Sequence, residues 1–190
     1  MTAEADDSTE AGHPLAAGPG RRVPSTPWGP PPPLDPPPEA ARSALAAVYA
    51  EVDAALAAAS DTCRTCGRCC RFQPGGIVLF ASSLEVATLL AEAGPPNPDR
   101  PSPNVGPFAA WTCPYQVGDR CGARAVRMLG CRTYFCTPAA ARGEAVYAEG
   151  LAAVRAVAGD HGYPWWYGPA KVALDAAAHL NADISRGAMA

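Results

Sequence analysis

The chain has no run approaching the roughly eighteen consecutive apolar residues of a membrane span, and no basic stretch followed by an apolar segment opens it. No membrane partner and no export are expected, and the chain reads as cytoplasmic. Charge is scarce as well, at 17% of 190 residues against a usual share of about 25%. Net charge is −3, but residues 1–40 carry six acids and two arginines, which leaves twelve acids and thirteen bases over 41–190. A globular part so close to neutral lacks the basic stripe of a nucleic-acid binder, so no nucleic-acid partner is expected. Histidine is rare: His13, His161 and His179 read as surface or packing residues. No serine, histidine and carboxylate set has a spacing that suggests hydrolysis, and no catalytic residue is named. There is no glycine-rich nucleotide loop between a strand and a helix, no radical-enzyme cysteine triplet and no internal repeat. Hydrophobic content of 48% is generous only because so much of it is alanine, and small side chains bury little area each.

What the chain does have is cysteine. All eight fall between residues 63 and 136: Cys63, Cys66, Cys69 and Cys70, then Cys113, Cys121, Cys131 and Cys136. In a reducing compartment such a set reads as ligands rather than disulfides. Three cysteines spaced by two residues can turn their sulfurs toward one centre, and remote cysteines complete the four ligands that zinc or a cluster iron needs. Cys70 follows Cys69 directly and neighbouring side chains point apart, so the two serve different centres or one lies outside the coordination sphere. The fold must bring the second half of the set back to the first. Gly67 suits a loop with positive φ that approaches the metal closely.

The triplet resembles ferredoxin loops, and Cys113-Pro114 resembles their remote Cys-Pro ligand. A zinc ribbon would need a second Cys-x-x-Cys, which the wider spacings of Cys113, Cys121, Cys131 and Cys136 do not supply. Aromatic shielding by Phe72, Trp111, Tyr134 and Phe135 favours an iron–sulfur centre, 4Fe–4S first, with zinc as the alternative. A thiol redox reading through Cys63-x-x-Cys66 leaves most cysteines without a role. Arginines 64, 68, 71, 120, 124, 127 and 132 are interleaved with the cysteines, either as a solvated face or as compensation for thiolates and a site for an anionic partner.

Residues 1–38 hold eleven of the 22 prolines and read as a disordered tail, Trp28 included. Residues 39–182 form the expected domain, with a cysteine core over 61–137, and 183–190 read as a flexible end. Spacing predicts a helix over 39–60, a short buried strand at 77–80, and a helix from 82 to about 90 opened by a Ser82/Glu85 capping box. A helical turn is expected around 122–129, a helix from a Thr137 cap to about 158, and a last helix over 169–180. The aromatic segment 163–167 reads as an anchor against the core. The expected fold is mainly α with irregular cysteine-rich loops and at most a short strand pair, a small metal-stabilised single domain.

Cys63-x-x-Cys66-Gly67-x-Cys69-Cys70, the strand and helix that follow, Cys113-Pro114, Cys121 and Arg127-Met128-Leu129-Gly130-Cys131-Arg132-Thr133-Tyr134-Phe135-Cys136 together resemble the YkgJ-type CxxCxxCC family. It is described as a zinc- or iron-chelating domain. The resemblance covers about residues 61–137, with Met128 standing where the family commonly has proline. It implies iron–sulfur or zinc binding, with no defined physiological task. The leading reading of this chain is a metal held by the eight cysteines in electron transfer or redox sensing, with an unidentified redox or protein partner. A zinc-stabilised interaction module is the second reading. Flagellin lysine N-methylase carries a similar region and suggests a third, a modifying enzyme, for which this chain shows no S-adenosylmethionine loop.

Overall fold

A computed structural model describes residues 28–57, 67, 70–72, 78–96, 111–134 and 140–187, with backbone alone for 140–142 and 179–187. The fold is mainly α, and among the described residues strands occur as three short antiparallel pairs.

Helix α1, Glu39–Ala55, forms where Ala41, Leu45, Tyr49 and Val52 recur at three- and four-residue intervals, and all four are buried. Pro38 sits at its N-cap with extended backbone, where the missing N–H removes no helical bond. The helix ends at Ala55, with Leu56 as C-cap, and the rest of the predicted span lies outside the described residues.

Helix α2, Ser83–Ala93, opens on the predicted capping box, in which Ser82 accepts from the Glu85 N–H and the Glu85 side chain accepts from the Ser82 N–H. Its residues Ser83 to Leu89 are all buried. A helix apolar on opposite sides must run through the interior, and α2 divides two core clusters. Val86 and Leu89 face one, with Trp111, Met128, Trp166 and Leu174; Leu84 and Ala87 face the other, with Leu45, Val52, Leu129 and Val154.

Helix α3, Leu129–Thr133, is a short turn preceded by a 3₁₀ segment at Arg124–Val126, close to the predicted turn at 122–129. Helix α4, Ala140–Asp160, packs along α1. Close approach is possible because position 150 is glycine: a Cβ there would lie 2.9 Å from Leu129 Cδ1 and 3.1 Å from Val52 Cγ2. The proposed Thr137 cap and the start of that predicted helix lie outside the described residues. Helix α5, Ala170–Gly187, buries Ala173, Leu174 and Ala177.

Strand β1 is Arg71–Phe72, β2 Phe80–Ser82, β3 Trp111–Thr112, β4 Gln116–Val117, β5 Arg120–Cys121 and β6 Tyr167–Pro169. The pairs are β1 with β3, β4 with β5 and β2 with β6. The strand expected at 77–80 begins at Phe80 instead, and the aromatic segment supplies its partner. Ser83 clamps that pairing: its hydroxyl donates to Pro164 O at 2.5 Å and accepts from the Trp166 N–H at 3.1 Å. Tyr163 and Trp166 are buried, as an anchoring role requires.

Both domain boundaries shift. Residues 28–38 belong with the fold rather than with a tail: the Trp28 carbonyl accepts from Trp166 Nε1–H at 2.9 Å, and its ring meets Phe80 edge-on at 5.7 Å. Leu34 packs against both clusters, and the Asp35 carbonyl accepts from the Tyr163 hydroxyl at 2.7 Å. These backbone acceptors depend on where the chain is laid, so proline content could not reveal them. At the other end, the boundary set at 182 falls inside α5. The tail reading for residues 1–27 lies outside the described residues, as do 188–190.

Candidate metal centre

Residues flanking the cysteine triplet are carried to the second half of the set by β1. The register Arg71↔Thr112 and Phe72↔Trp111 is extended by a bond from the Cys113 N–H to Cys70 O at 2.8 Å, so Cys70 lies across from Cys113. Residues two apart on a strand share a face, which places Cys70 with Phe72 and Cys113 with Trp111. Both cysteines are buried, and Phe72 and Trp111 stack with centroids 4.8 Å apart.

Cys121 arrives on the β4–β5 hairpin, turned by Gly118-Asp119, with Gln116 as its partner across the pair. The Gly122 N–H donates to Tyr115 O at 2.7 Å and the Gln116 N–H to Cys113 O at 3.0 Å, which folds the hairpin back beside Cys113. Gly-Asp between two short runs is a hairpin signal that the weak periodicity of this stretch concealed. Cys131 sits in α3, with its N–H on Met128 O at 2.9 Å. Cys70 and Cys113 are part of the first core cluster, and Cys121 and Cys131 pack against it.

The cysteine loop is joined to the hairpin directly. Gly67 has φ +67° and lies so close that a Cβ would sit 2.6 Å from Gln116 Nε2 and 2.8 Å from Asp119 O. Arg71 donates to Asp119 across the same junction at 2.5 Å. Gly67 thus has the positive φ expected of it, and the close approach seen is to the hairpin.

Four cysteines from both halves of the set gather at one cluster, and none of them is in a disulfide. Among the described residues no three His, Cys, Asp or Glu side chains form a metal-holding group. Cys63, Cys66, Cys69 and Cys136 lie outside the described residues. The donor chemistry suits a thiophilic metal: buried thiols beside stacked aromatic rings. Tyr134, expected as a shield, is partly exposed, whereas Tyr115 is buried in the same cluster as Cys113. Phe135 lies outside the described residues.

Behind Cys131 lies a polar knot that motif reading missed. Glu85 is 1% exposed and accepts from the Ser82 N–H and hydroxyl at 2.8 Å each, the Leu129 N–H at 2.7 Å and the Tyr49 hydroxyl at 3.3 Å. The capping box signalled Glu85, but not its second pair of donors. Arg132 is buried too, donating to Arg127 O at 2.8 Å, Ala125 O at 2.6 Å and Asp53 at 2.5 Å, with its guanidinium 4.1 Å from the Tyr49 ring centroid. Of the interleaved arginines, Arg132 is therefore structural, Arg71 is paired with Asp119, and Arg120 and Arg124 are exposed.

Burial, reinforced by the Glu85 carboxylate, pushes the Tyr49 phenol well above its usual value. Burial does the same to Tyr115 and, with the Tyr167 hydrogen bond, to Tyr147, and it raises Tyr163 to about 12. A phenol with a raised folded pKa leaves stability unchanged below its unfolded value of about 10 and removes it as pH climbs above that, because only the unfolded chain then loses the proton. The contribution of these tyrosines to stability is expected to be flat to about pH 10, then to fall by about 1.4 kcal/mol per pH unit for a fully buried tyrosine such as Tyr49. Urea unfolding in steps from pH 9 to 11.5, alongside phenolate absorbance, checks this; a flat profile through pH 11 contradicts it.

No family model, curated protein or solved structure matches the chain.

Proposed function

We propose that the chain is a metal-binding protein that holds an iron–sulfur cluster, or zinc, through Cys63, Cys66, Cys69, Cys70, Cys113, Cys121, Cys131 and Cys136. One observation carries the reading: Cys70 and Cys113, one from each half of the set, lie in one buried cluster, and Cys121 and Cys131 pack against it. The CxxCxxCC resemblance belongs to the same proposal, as do a cytoplasmic setting and a redox or protein partner. No described helix is long and apolar enough to cross a membrane.

When bound, a cluster would supply one-electron transfer and zinc a structural cross-link. The chain's own residues supply the rest. Phe72, Trp111 and Tyr115 limit water at the cysteines, and low dielectric there is a means of tuning a reduction potential. Gly67 and the Arg71–Asp119 pair fasten the loop to the hairpin.

Elemental analysis of protein purified without oxygen tests the proposal. Iron with matching acid-labile sulfide, on the order of four per centre, supports the cluster. Zinc at about one per four thiolates without sulfide supports a structural module. Protein that folds with neither metal, and takes up neither when reconstituted, overturns both.

A further inference from the structure

We propose that Glu85 is a positioning residue for Cys131, holding that thiol where a metal can take it; the inference rests on the metal-binding reading above. A capping box needs a glutamate at this position, but it does not need a buried one, because a helix start open to water satisfies the same donors. Burying a carboxylate is costly unless hydrogen bonds replace its hydration. Here they do, and they divide by oxygen. Oε2 takes the Ser82 N–H and hydroxyl, which is the capping-box half. Oε1 takes the Tyr49 hydroxyl and the Leu129 N–H, the latter from 44 residues along the chain.

That long-range bond caps the first turn of α3. Leu129 opens the helix, Cys131 is its third residue, and the Cys131 N–H is committed to Met128 O. One carboxylate therefore fixes the start of α3 against the start of α2. The other side of Cys131 is fixed as firmly, since Arg132 is tied to Arg127 O, Ala125 O and Asp53 and lies over the Tyr49 ring. Tyr49 links the two clamps, donating to Glu85 and stacking under Arg132. Cys131 is held between them at the edge of the cluster that contains Cys70 and Cys113. Preorganised ligands bind metal more tightly because less ordering remains to be done on binding.

The test uses the full chain, reduced and metal-free, titrated with Co²⁺ and followed by the thiolate-to-cobalt charge-transfer absorbance. Alkylation of each cysteine by iodoacetamide is timed in parallel by mass spectrometry. Glu85→Gln cannot accept at both ends and is expected to weaken Co²⁺ binding by at least about tenfold. It should also speed alkylation of Cys131 while leaving Cys113 at its wild-type rate. Tyr49→Phe removes one donor to Oε1 and keeps the ring beneath Arg132, so it reports even if Glu85→Gln does not fold. It should shift both readouts in the same direction by less.

Wild-type Co²⁺ affinity and wild-type Cys131 reactivity in the folded variants overturn the positioning role. A uniform rise in reactivity at all cysteines overturns it too, since general loosening of the fold would do that. Wild-type protein with no cobalt–thiolate band instead overturns the metal reading, and a selective Cys131 effect would then still support the clamp.

Discussion

Chelation of the metal under oxygen-free, reducing conditions is expected to lower the melting temperature by roughly 10–15 °C and to loosen one half of the molecule before the other. A ligand bound only by the native state stabilises it by about 4 kcal/mol at a free concentration a thousand times its dissociation constant. For a domain of this size each kcal/mol moves the midpoint by about 2–4 °C. Asymmetry follows from the elements themselves. Helices α1 and α4 pack on each other through Leu45, Val52 and Val154, whereas β1, β3, β4 and β5 are two residues long and supply little stability alone. Hydrogen exchange after chelation should rise at 70–72 and 111–121 while α1, the clamped α3 and the second half of α4 stay protected. Cys66→Ser should reproduce the loss at saturating metal, because it removes a member of the triplet. An unchanged melting temperature after chelation would mean that no metal stabilises the fold, and a stable Cys66→Ser protein with full metal content would remove Cys66 from the ligand set.

The elements read correctly from the sequence are those whose signals are local. Leu45, Tyr49 and Val52 mark the buried face of α1 at helical spacing, and Ser82 and Glu85 mark the start of α2 three residues apart. Fold class followed, because long periodic segments dominate the chain. What was missed depends on partners distant in sequence. Tyr167–Pro169 looks like an aromatic loop until Phe80–Ser82 is laid beside it, and Trp28 looks like part of a proline-rich tail until its carbonyl meets Trp166. The site divides in the same way. Spacing identified which cysteines to consider and required the two halves to meet, and Cys70 opposite Cys113 meets that requirement. Spacing could not reveal the long-range roles of Glu85 and Arg132, whose partners Leu129 and Asp53 lie 44 and 79 residues away. Tyr134, expected among the shielding aromatics, is partly exposed, and Tyr115, which no local signal marks, is buried with Cys113.

Gly67→Ala is expected to destabilise the protein by about 2–5 kcal/mol, and Gly118→Ala by only about 1–2 kcal/mol. Both glycines have positive φ, +67° and +57°, so both substitutions carry the left-handed penalty of about 1–2 kcal/mol for a residue with a Cβ. They differ in surroundings. Nothing lies within 4 Å of a Cβ at 118, whereas one at 67 meets Gln116 Nε2 at 2.6 Å and the Asp119 carbonyl oxygen at 2.8 Å. Gln116 is buried and donates to Gly118 O at 3.0 Å, so its amide cannot swing aside without giving up that bond. Asp119 O is backbone and yields only if the hairpin turn moves. The overlap therefore adds about 1–3 kcal/mol, typical of forcing a methyl into a packed contact. Relief would come by lifting the cysteine loop off the hairpin, which separates Cys70 and its neighbours from Cys121, so metal content should fall for Gly67→Ala and hold for Gly118→Ala. Equilibrium urea unfolding and metal analysis of the two variants side by side measure the difference. Equal destabilisation with equal metal content would mean that the loop does not rest on the hairpin in solution, and that the two halves of the cysteine set are joined through β1 and β3 alone.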